Sequence, residues 1–195
     1  MNSQEKSEKE IREELTDGEV RIRRYRPGDE DALYEAVRES IPEVSPWLSF
    51  CHQDYSHEES AEWVGSNQKN WEAGEVYAFI VEDEKTGAFL GGCGLNQIDR
   101  INLRANLGYW VRSSQAGRGI ITAATRLLAG FAYEDLGLVR LEIVVAVDNK
   151  ASQRVAEKVG AVSEGMLRKR IRVREIFHDA ISYSLLPEDT YPQFG

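Results

Sequence analysis

A glycine-containing loop that leads from a strand into a helix constrains the fold of this chain most. The loop spans residues 113–119, after an apolar segment that ends at Arg112 and before a long helix with an apolar face. The first N–H groups of a helix have no acceptor within the helix, and the helix dipole is positive at that end. Because glycines let the backbone approach an anion closely and Arg118 adds charge, the loop can hold a diphosphate.

This loop fits neither of two common nucleotide-binding motifs. No Lys-Ser or Lys-Thr pair follows the glycines, as a nucleoside-triphosphate P-loop requires, and the three spaced glycines of a Rossmann fingerprint are missing. A tight turn without any ligand uses the same Gly117 and Gly119 spacing, so that alternative stays open on the loop alone.

Apolar periodicity along the rest of the chain predicts one mixed α/β domain over residues 19–190. We expect strands at residues 20–25, 77–83, 89–97, 103–112, 141–147, 163–172 and 177–186. We expect helices at residues 30–40, 57–71, 120–136 and 150–159. Residues 1–18 are charge-rich and are expected to form a separate arm, either a frayed helix or disordered.

The composition argues against several classes of protein. With 33 acidic and 24 basic residues, the net charge is −9, whereas nucleic-acid binding needs a basic surface. No segment approaches the roughly 20 apolar residues of a membrane span, and the N-terminus lacks the apolar core of a secretion signal. Two cysteines and three scattered histidines predict neither a disulfide framework nor a metal site. We therefore expect a cytoplasmic protein with no metal, nucleic-acid or membrane partner.

Several short segments share their order and spacing with one known family. They are Pro46-Trp47-Leu48-Ser49, residues 90–95, Asn106-Leu107-Gly108-Tyr109-Trp110, residues 116–121, residues 139–143, Asn149-Lys150-Ala151-Ser152, residues 157–161, residues 164–168 and His178-Asp179-Ala180 with Tyr183. In these segments the chain resembles the GNAT acetyltransferases, above all the RimJ/RimL-like group, which acetylates N-terminal amines of ribosomal proteins. The resemblance covers residues 20–186.

The resemblance implies an α/β GNAT fold, with a mixed and mostly antiparallel sheet of about seven strands that is flanked by helices and splayed at the acetyl-CoA site. It also implies that acetyl-CoA donates an acetyl group to a primary amine, which attacks directly through a tetrahedral intermediate. The expected acceptor is the N-terminal amine of a ribosomal or similar protein. A small amine, such as a polyamine, an aminoglycoside or an amino-acid conjugate, is the alternative, and a non-catalytic acyl-CoA-binding module is a third. A homodimer is suggested by the resemblance alone.

The residues that the resemblance assigns to acetyl-CoA binding are Trp110, Val111, Arg112, Ala116, Gly117, Arg118, Gly119, Ile120, Ile121, Thr122, Asn149 and Ser152. A backbone N–H near Trp110 or Val111 is expected to stabilise the oxyanion. In the family's diphosphate-binding motif, Ala116 stands where Gln or Arg is usual, and Ile121 stands where Gly or Ala is usual. Because backbone amides supply most of the contacts, these changes need not abolish binding.

Glu142 is the first candidate for the general base, because it is the only carboxylate on the apolar segment 138–147. The pKa of a semi-buried carboxylate rises towards neutrality. The alternative is that Glu142 faces outward and pairs with Arg140 or another basic residue. Glu175 and Asp179 are weaker candidates.

Ser152 is the expected proton donor to the departing thiolate, because Ala156 stands where many GNAT enzymes have a tyrosine. Helix capping alone would also explain both Asn149 and Ser152. Trp47 and Tyr109 are expected to contact the acceptor. Cys93 lies in an apolar segment and is expected to be inert packing rather than an acyl-carrying nucleophile.

Overall fold

The structure, a computed structural model, describes residues 11–190. Within that range one sheet holds eight strands: β1 (Glu14–Thr16), β2 (Val20–Arg24), β3 (Tyr77–Asp83), β4 (Phe89–Asp99), β5 (Arg104–Val111), β6 (Arg140–Ala146), β7 (Val162–Val173) and β8 (Ile176–Leu185). Their order is β1-β2-β3-β4-β5-β6-β8-β7. All neighbours are antiparallel except β5 and β6. The predicted α/β class and the mixed, mostly antiparallel sheet are confirmed.

Helices cover both faces of this sheet. They are α1 (Glu30–Val44), α2 (His57–Ala73), α3 (Ile120–Glu134), α4 (Lys150–Lys158) and α5 (Pro187–Thr190), with a single 3-10 turn at Ser113–Gln115. One core lies between α3, α4 and the sheet, and a second lies between the sheet and α1 with α2. Among the described residues, no helix is long and apolar enough to cross a membrane.

The parallel pair β5–β6 separates soon after it forms. Helix α3 makes the crossover that a parallel connection requires. Pairing covers only Arg104↔Arg140, Ala105↔Leu141 and Asn106↔Glu142. Beyond that point β5 continues along β4, while β6 continues along β8 as far as Ala146. The sheet is therefore splayed between these two strands, as the resemblance implied.

Two segments differ from the sequence predictions. Glu14–Thr16 lie within the range predicted to be a separate arm, yet they pair with β2 as an edge strand, which raises the strand number to eight. Residues 1–10 of that arm lie outside the described residues.

Helix α1 also runs past the predicted end at Ser40, through Pro42, because Ile41 and Val44 pack into the second core. The free energy gained by burying these two side chains offsets the loss of the backbone hydrogen bond that proline cannot donate.

Phe131 gives a direct test of the first core. Its ring is fully buried and meets the rings of Phe79 and Tyr77 edge-on, at centroid distances of 5.0 Å and 5.4 Å. We expect Phe131→Ala to lower the free energy of unfolding by about 3–5 kcal/mol, because it removes buried area and leaves a cavity. Urea denaturation measures this. Ile101→Ala, at a loop residue 93% exposed, is the control and should change stability by less than about 0.5 kcal/mol.

Candidate active site

A cleft of about 760 Å³ occupies the opening between β5 and β6. It is lined by the end of β5, the loop before α3, the N-terminal turns of α3 and α4, and β6. Its outer wall comes from the α1–α2 loop and from Arg170 and Ile171 on β7. Nearly all the residues predicted to bind acetyl-CoA or acceptor lie here; only Arg112 is not part of the lining.

The loop before α3 has the geometry expected of an anion site. Gly117 and Gly119 have φ values of +78° and +82°, which side-chain-bearing residues rarely adopt. The first hydrogen bond of α3 runs from the Ala123 N–H to the Gly119 carbonyl, at 3.1 Å. The N–H groups of Ile120, Ile121 and Thr122 therefore have no acceptor within the helix and are free to meet a diphosphate. These features fit the acetyl-CoA diphosphate.

The two departures from the family motif do not obstruct this site. The side chain of Ile121 is buried and packs in the first core, although the residue also contributes to the cleft lining. Ala116 is exposed and extended, and it places only a methyl group at the rim. Arg118 is exposed, and its guanidinium donates to the side-chain carbonyl of Gln115.

Arg112 anchors the loop instead of facing the cleft. Its Nε donates to Oε2 of Glu39 on α1 at 2.6 Å. The Ser114 N–H donates to the other oxygen of Glu39 at 2.9 Å, and the Ser113 N–H donates to Ser40 Oγ at 3.0 Å. Hydrogen bonds from Ser114 and then from Arg112 lower the pKa of Glu39. Arg112 therefore positions the loop on α1, and its contact with acetyl-CoA stays a prediction.

Asn149, Ser152 and Tyr109 form a hydrogen-bonded group on the other side of the cleft. Asn149 caps α4 by accepting from the Ser152 N–H at 3.1 Å, so the predicted capping is present. Ser152 Oγ donates to the Tyr109 hydroxyl at 3.2 Å, and that hydroxyl donates to the Ser152 carbonyl at 2.9 Å. Burial raises the pKa of Tyr109 to about 12. Tyr109 thus spans the splay and keeps its proton at neutral pH.

Glu142 does not face this cleft. Its Oε1 accepts from Arg104 Nη1 at 3.0 Å and from Arg140 Nε at 3.2 Å. The carboxylate therefore joins β5 to β6 at their last paired residues, Asn106 and Glu142. This arrangement corresponds to the alternative in which Glu142 pairs with basic residues. Glu175 is paired with Arg172, and Asp179 accepts from the Lys169 N–H at 2.7 Å.

Two features of the site had weak sequence signals. The ring of His178 on β8 lies at a tilt against the ring of Trp47, with centroids 6.1 Å apart, and His178 pairs with cleft-lining Ile171 in the hairpin register. Asn106 and Asn96 join across β4 and β5, since Nδ2 of Asn106 donates to Oδ1 of Asn96 at 3.1 Å. In the sequence, Asn106 is marked only by its place in one of the segments that carry the resemblance.

The buried thiol of Cys93 is unsuited to covalent catalysis. Burial raises its pKa well above the usual range, which disfavours the nucleophilic thiolate. Among residues 11–190, no group of three or more His, Cys, Asp or Glu side chains is placed to hold a metal ion.

Comparisons with known proteins agree with this geometry. Residues 19–162 match the model of the acetyltransferase (GNAT) domain. The chain belongs to the GNAT acetyltransferase family. It is 32% identical, over 87% of its length and 92% of the relative's, to the putative ribosomal N-acetyltransferase YdaF of Bacillus subtilis.

A curated relative from a second organism and the fold of a solved structure are also similar to this GNAT protein. It is 30% identical to the ribosomal-protein-serine acetyltransferase of Escherichia coli, over 78% of this chain and 84% of the relative. The structure of Mycobacterium smegmatis RimJ in complex with CoA-disulfide superposes with a TM-score of 0.82 and 24% identity, covering 89% of this chain and 84% of RimJ. The predicted family, enzyme class and cosubstrate are confirmed: the protein is an acetyl-CoA-dependent N-acetyltransferase.

The loop before α3 can be tested with a matched pair of glycine variants. Gly119→Ala forces a side chain into a positive-φ position at the N-terminus of α3, and should tilt the amides that meet the diphosphate. Gly137→Ala imposes the same kind of strain after the other end of α3, at φ +65°. We expect Gly119→Ala to weaken acetyl-CoA binding at least tenfold by calorimetry, and Gly137→Ala to leave it within threefold. Equal effects of the two variants would contradict the assigned anion site.

Proposed function

We propose that this enzyme acetylates the N-terminal α-amine of a protein, and that the charge of the cleft wall selects against polyamines. The observation that carries the proposal is the basic β7–β8 hairpin on the acceptor side. Arg168, Lys169 and Arg170 are exposed there, and Arg170 lines the cleft. A polyamine carries several positive charges and is repelled by this wall, whereas a peptide brings one reacting amine. The names of the relatives, a ribosomal N-acetyltransferase and a ribosomal-protein-serine acetyltransferase, support a protein acceptor.

The hydrogen-bond partners of the three candidate general bases also favour an α-amine as the acceptor. Glu142, Glu175 and Asp179 all accept hydrogen bonds from arginines or from a backbone N–H, and none of the three lines the cleft. An α-amine has a pKa near 7.7–8.0, and roughly a third of it is neutral at pH 7.5, against roughly 0.1% of a lysine-like amine. An acceptor that is already neutral needs little help from a base.

Acetyl-CoA supplies the thioester carbonyl that the amine attacks. The N–H groups of residues 120–122 hold the diphosphate, as the geometry of the loop allows. Because Arg112 N–H bonds back to Leu90 on β4 at 2.8 Å, and N–H groups alternate sides along a strand, the Val111 N–H points into the splay. Val111 is therefore the backbone donor that we assign to the developing oxyanion.

Ser152 and Tyr109 supply the proton for the departing thiolate. Ser152 Oγ–H turns from the Tyr109 oxygen to the sulfur, and Tyr109 holds the serine at the head of α4. The amide keeps one of the two protons of the attacking amine; the other passes to solvent water, and water returns a proton to Ser152 Oγ, so that the products are the amide and the free thiol. The phenol of Tyr109 reaches this helix from β5 and so compensates for Ala156, which is fully buried where many relatives have tyrosine. A phenol whose pKa is near 12 stays protonated throughout the neutral range.

The acceptor class is tested by measuring thiol release from acetyl-CoA with three acceptors. These are a peptide with a free N-terminus, the same peptide with a blocked N-terminus and one internal lysine, and spermidine. We expect release only with the free α-amine, at a rate that rises with pH and levels off above the pKa of that amine. Faster release with spermidine would contradict the proposal.

The proton-donor assignment predicts unequal losses in two variants. Ser152→Ala should lower kcat about 100-fold, the lower end of the range for general-acid catalysis. Tyr109→Phe keeps the ring but loses the hydroxyl, and should lower kcat about tenfold. Both variants should bind acetyl-CoA within threefold of the parent by calorimetry. Unchanged turnover in Ser152→Ala would contradict the assignment.

Glu142→Gln separates an ion-pairing role from a catalytic one. We expect kcat within threefold of the parent and an unchanged pH profile, because the carboxylate is tied to Arg104 and Arg140 outside the cleft. Urea denaturation should show a loss of no more than about 1 kcal/mol, as the group is partly exposed and solvent screens the pairs. Turnover that falls at least 100-fold would restore Glu142 as the general base.

A further inference from the structure

A second cavity, of about 660 Å³, lies between the sheet and helices α1 and α2. It adjoins the acetyl-transfer cleft. The residues that line both are Leu48, Asn96, Gly108, Tyr109 and Trp110. A group held in this cavity would therefore lie directly beside the part of β5 where the amine must attack.

Part of the cavity floor is the backbone of three glycines in the sheet, Gly92, Gly94 and Gly108. Gly94 on β4 and Gly108 on β5 are directly paired. A Cβ built on Gly108 meets no atom within 4 Å and its φ is not positive, so the backbone conformation does not require glycine. The side chain of Trp110 lies over the neighbouring Gly92, whose Cβ would come within 2.7 Å of the indole nitrogen. The space above Gly108 is thus open, and Trp110 bounds it.

Aromatic rings form the walls. Tyr25 and Tyr55 are buried, whereas Phe50 and Trp63 are 40% and 41% exposed. Trp63 meets Tyr25 edge-on at 6.3 Å, and Phe50 meets Trp110 in the same way at 5.8 Å. Large, partly exposed rings around a cavity of this size are typical of a site for an apolar or aromatic group.

The charge at the rim suits the rest of such an acceptor. Glu59 and Glu62 of α2 line the cavity. Glu59 is held by His52, whose Nε2 is 2.8 Å from the carboxylate, and by its capping bond to the Ser56 N–H. Glu62 is exposed on the same helix. These carboxylates attract one ammonium group as the acceptor enters, before the neutral amine reaches β5, and the apolar group beside it is drawn to the rings. The further positive charges of a polyamine still meet the basic β7–β8 hairpin.

We propose that this cavity binds a bulky apolar or aromatic group carried next to the reacting amine, so that the enzyme prefers acceptors whose first residue is large and apolar. The inference rests on the proposed acetylation of an α-amine. The amine lies over β5 at the splay, and the side chain of the same residue lies on the Gly94–Gly108 floor between Phe50 and Trp63. Small first residues leave the cavity filled only with water and lose that contact.

The test compares peptides that differ only at their first residue: Ala, Ser, Leu and Phe. We expect kcat/KM for the Phe and Leu peptides to exceed that for the Ala peptide at least tenfold, since burial of a few methylene groups commonly gives 10- to 200-fold. Trp63→Ala removes a wall, and Gly108→Val fills the space above the floor. Both should bring the Phe-to-Ala ratio of kcat/KM down towards one. Phe177→Ala, at an exposed ring of the β7–β8 hairpin, is the matched control and should leave the ratio unchanged.

The outcomes separate the cavity from the proposed function. Equal acetylation of all four peptides, or a ratio that survives both cavity variants, would overturn the cavity proposal and leave α-amine acetylation standing. Phenethylamine extends the test to a small acceptor. One outcome would support the cavity proposal and contradict a protein acceptor. In that outcome phenethylamine is acetylated and none of the peptides is, and the activity towards phenethylamine falls in Trp63→Ala and Gly108→Val but not in Phe177→Ala. Acetyl-CoA affinity, measured in each variant, confirms that the first site is still folded.

Discussion

The separation of β5 from β6 after three paired residues is the constraint on which the rest of the site depends. A strand that leaves its neighbour exposes N–H and C=O groups, and such groups are costly to bury without partners. Here the opening is supported on both sides, because β5 stays paired with β4 and β6 stays paired with β8. The free edge of β5 is consequently held in place for an extended ligand, which can hydrogen-bond to it like an added strand.

Polar contacts join the two sides of this opening to the helices around it. Glu39 and Ser40 of α1 fix the start of the loop before α3, and Tyr109 fixes the head of α4 through Ser152. Helix α1 also forms one side of the second cavity through Leu33. The loop proposed to bind acetyl-CoA and the helix beside the proposed acceptor cavity are thus joined by hydrogen bonds, which suits a reaction that needs both substrates aligned.

Much of this could be predicted from local patterns in the sequence. The loop at residues 113–119 predicted an anion site because glycine conformation and a helix N-terminus act locally. The strands were found because the alternation of apolar and polar residues is also local.

Features that depend on strand register could not be predicted. The sequence left open whether Glu142 forms ion pairs or acts as a base, because the positions of Arg104 and Arg140 beside it depend on the β5–β6 register, which no local pattern shows. The pairing of Gly94 with Gly108, and hence the second cavity, likewise depends on register. Glu14–Thr16 were missed because an edge strand of three residues is stabilised by its neighbour rather than by its own composition.

A crystal structure with coenzyme A bound would show directly whether the opening between β5 and β6 is the acetyl-CoA site. We expect diphosphate oxygens within hydrogen-bonding distance, about 3 Å, of the N–H groups of residues 120–122. We also expect the pantetheine chain along the free edge of β5, and the sulfur next to Ser152 Oγ and the Tyr109 hydroxyl. Coenzyme A bound outside the splay, or with its sulfur far from Ser152, would show that the assigned site is wrong.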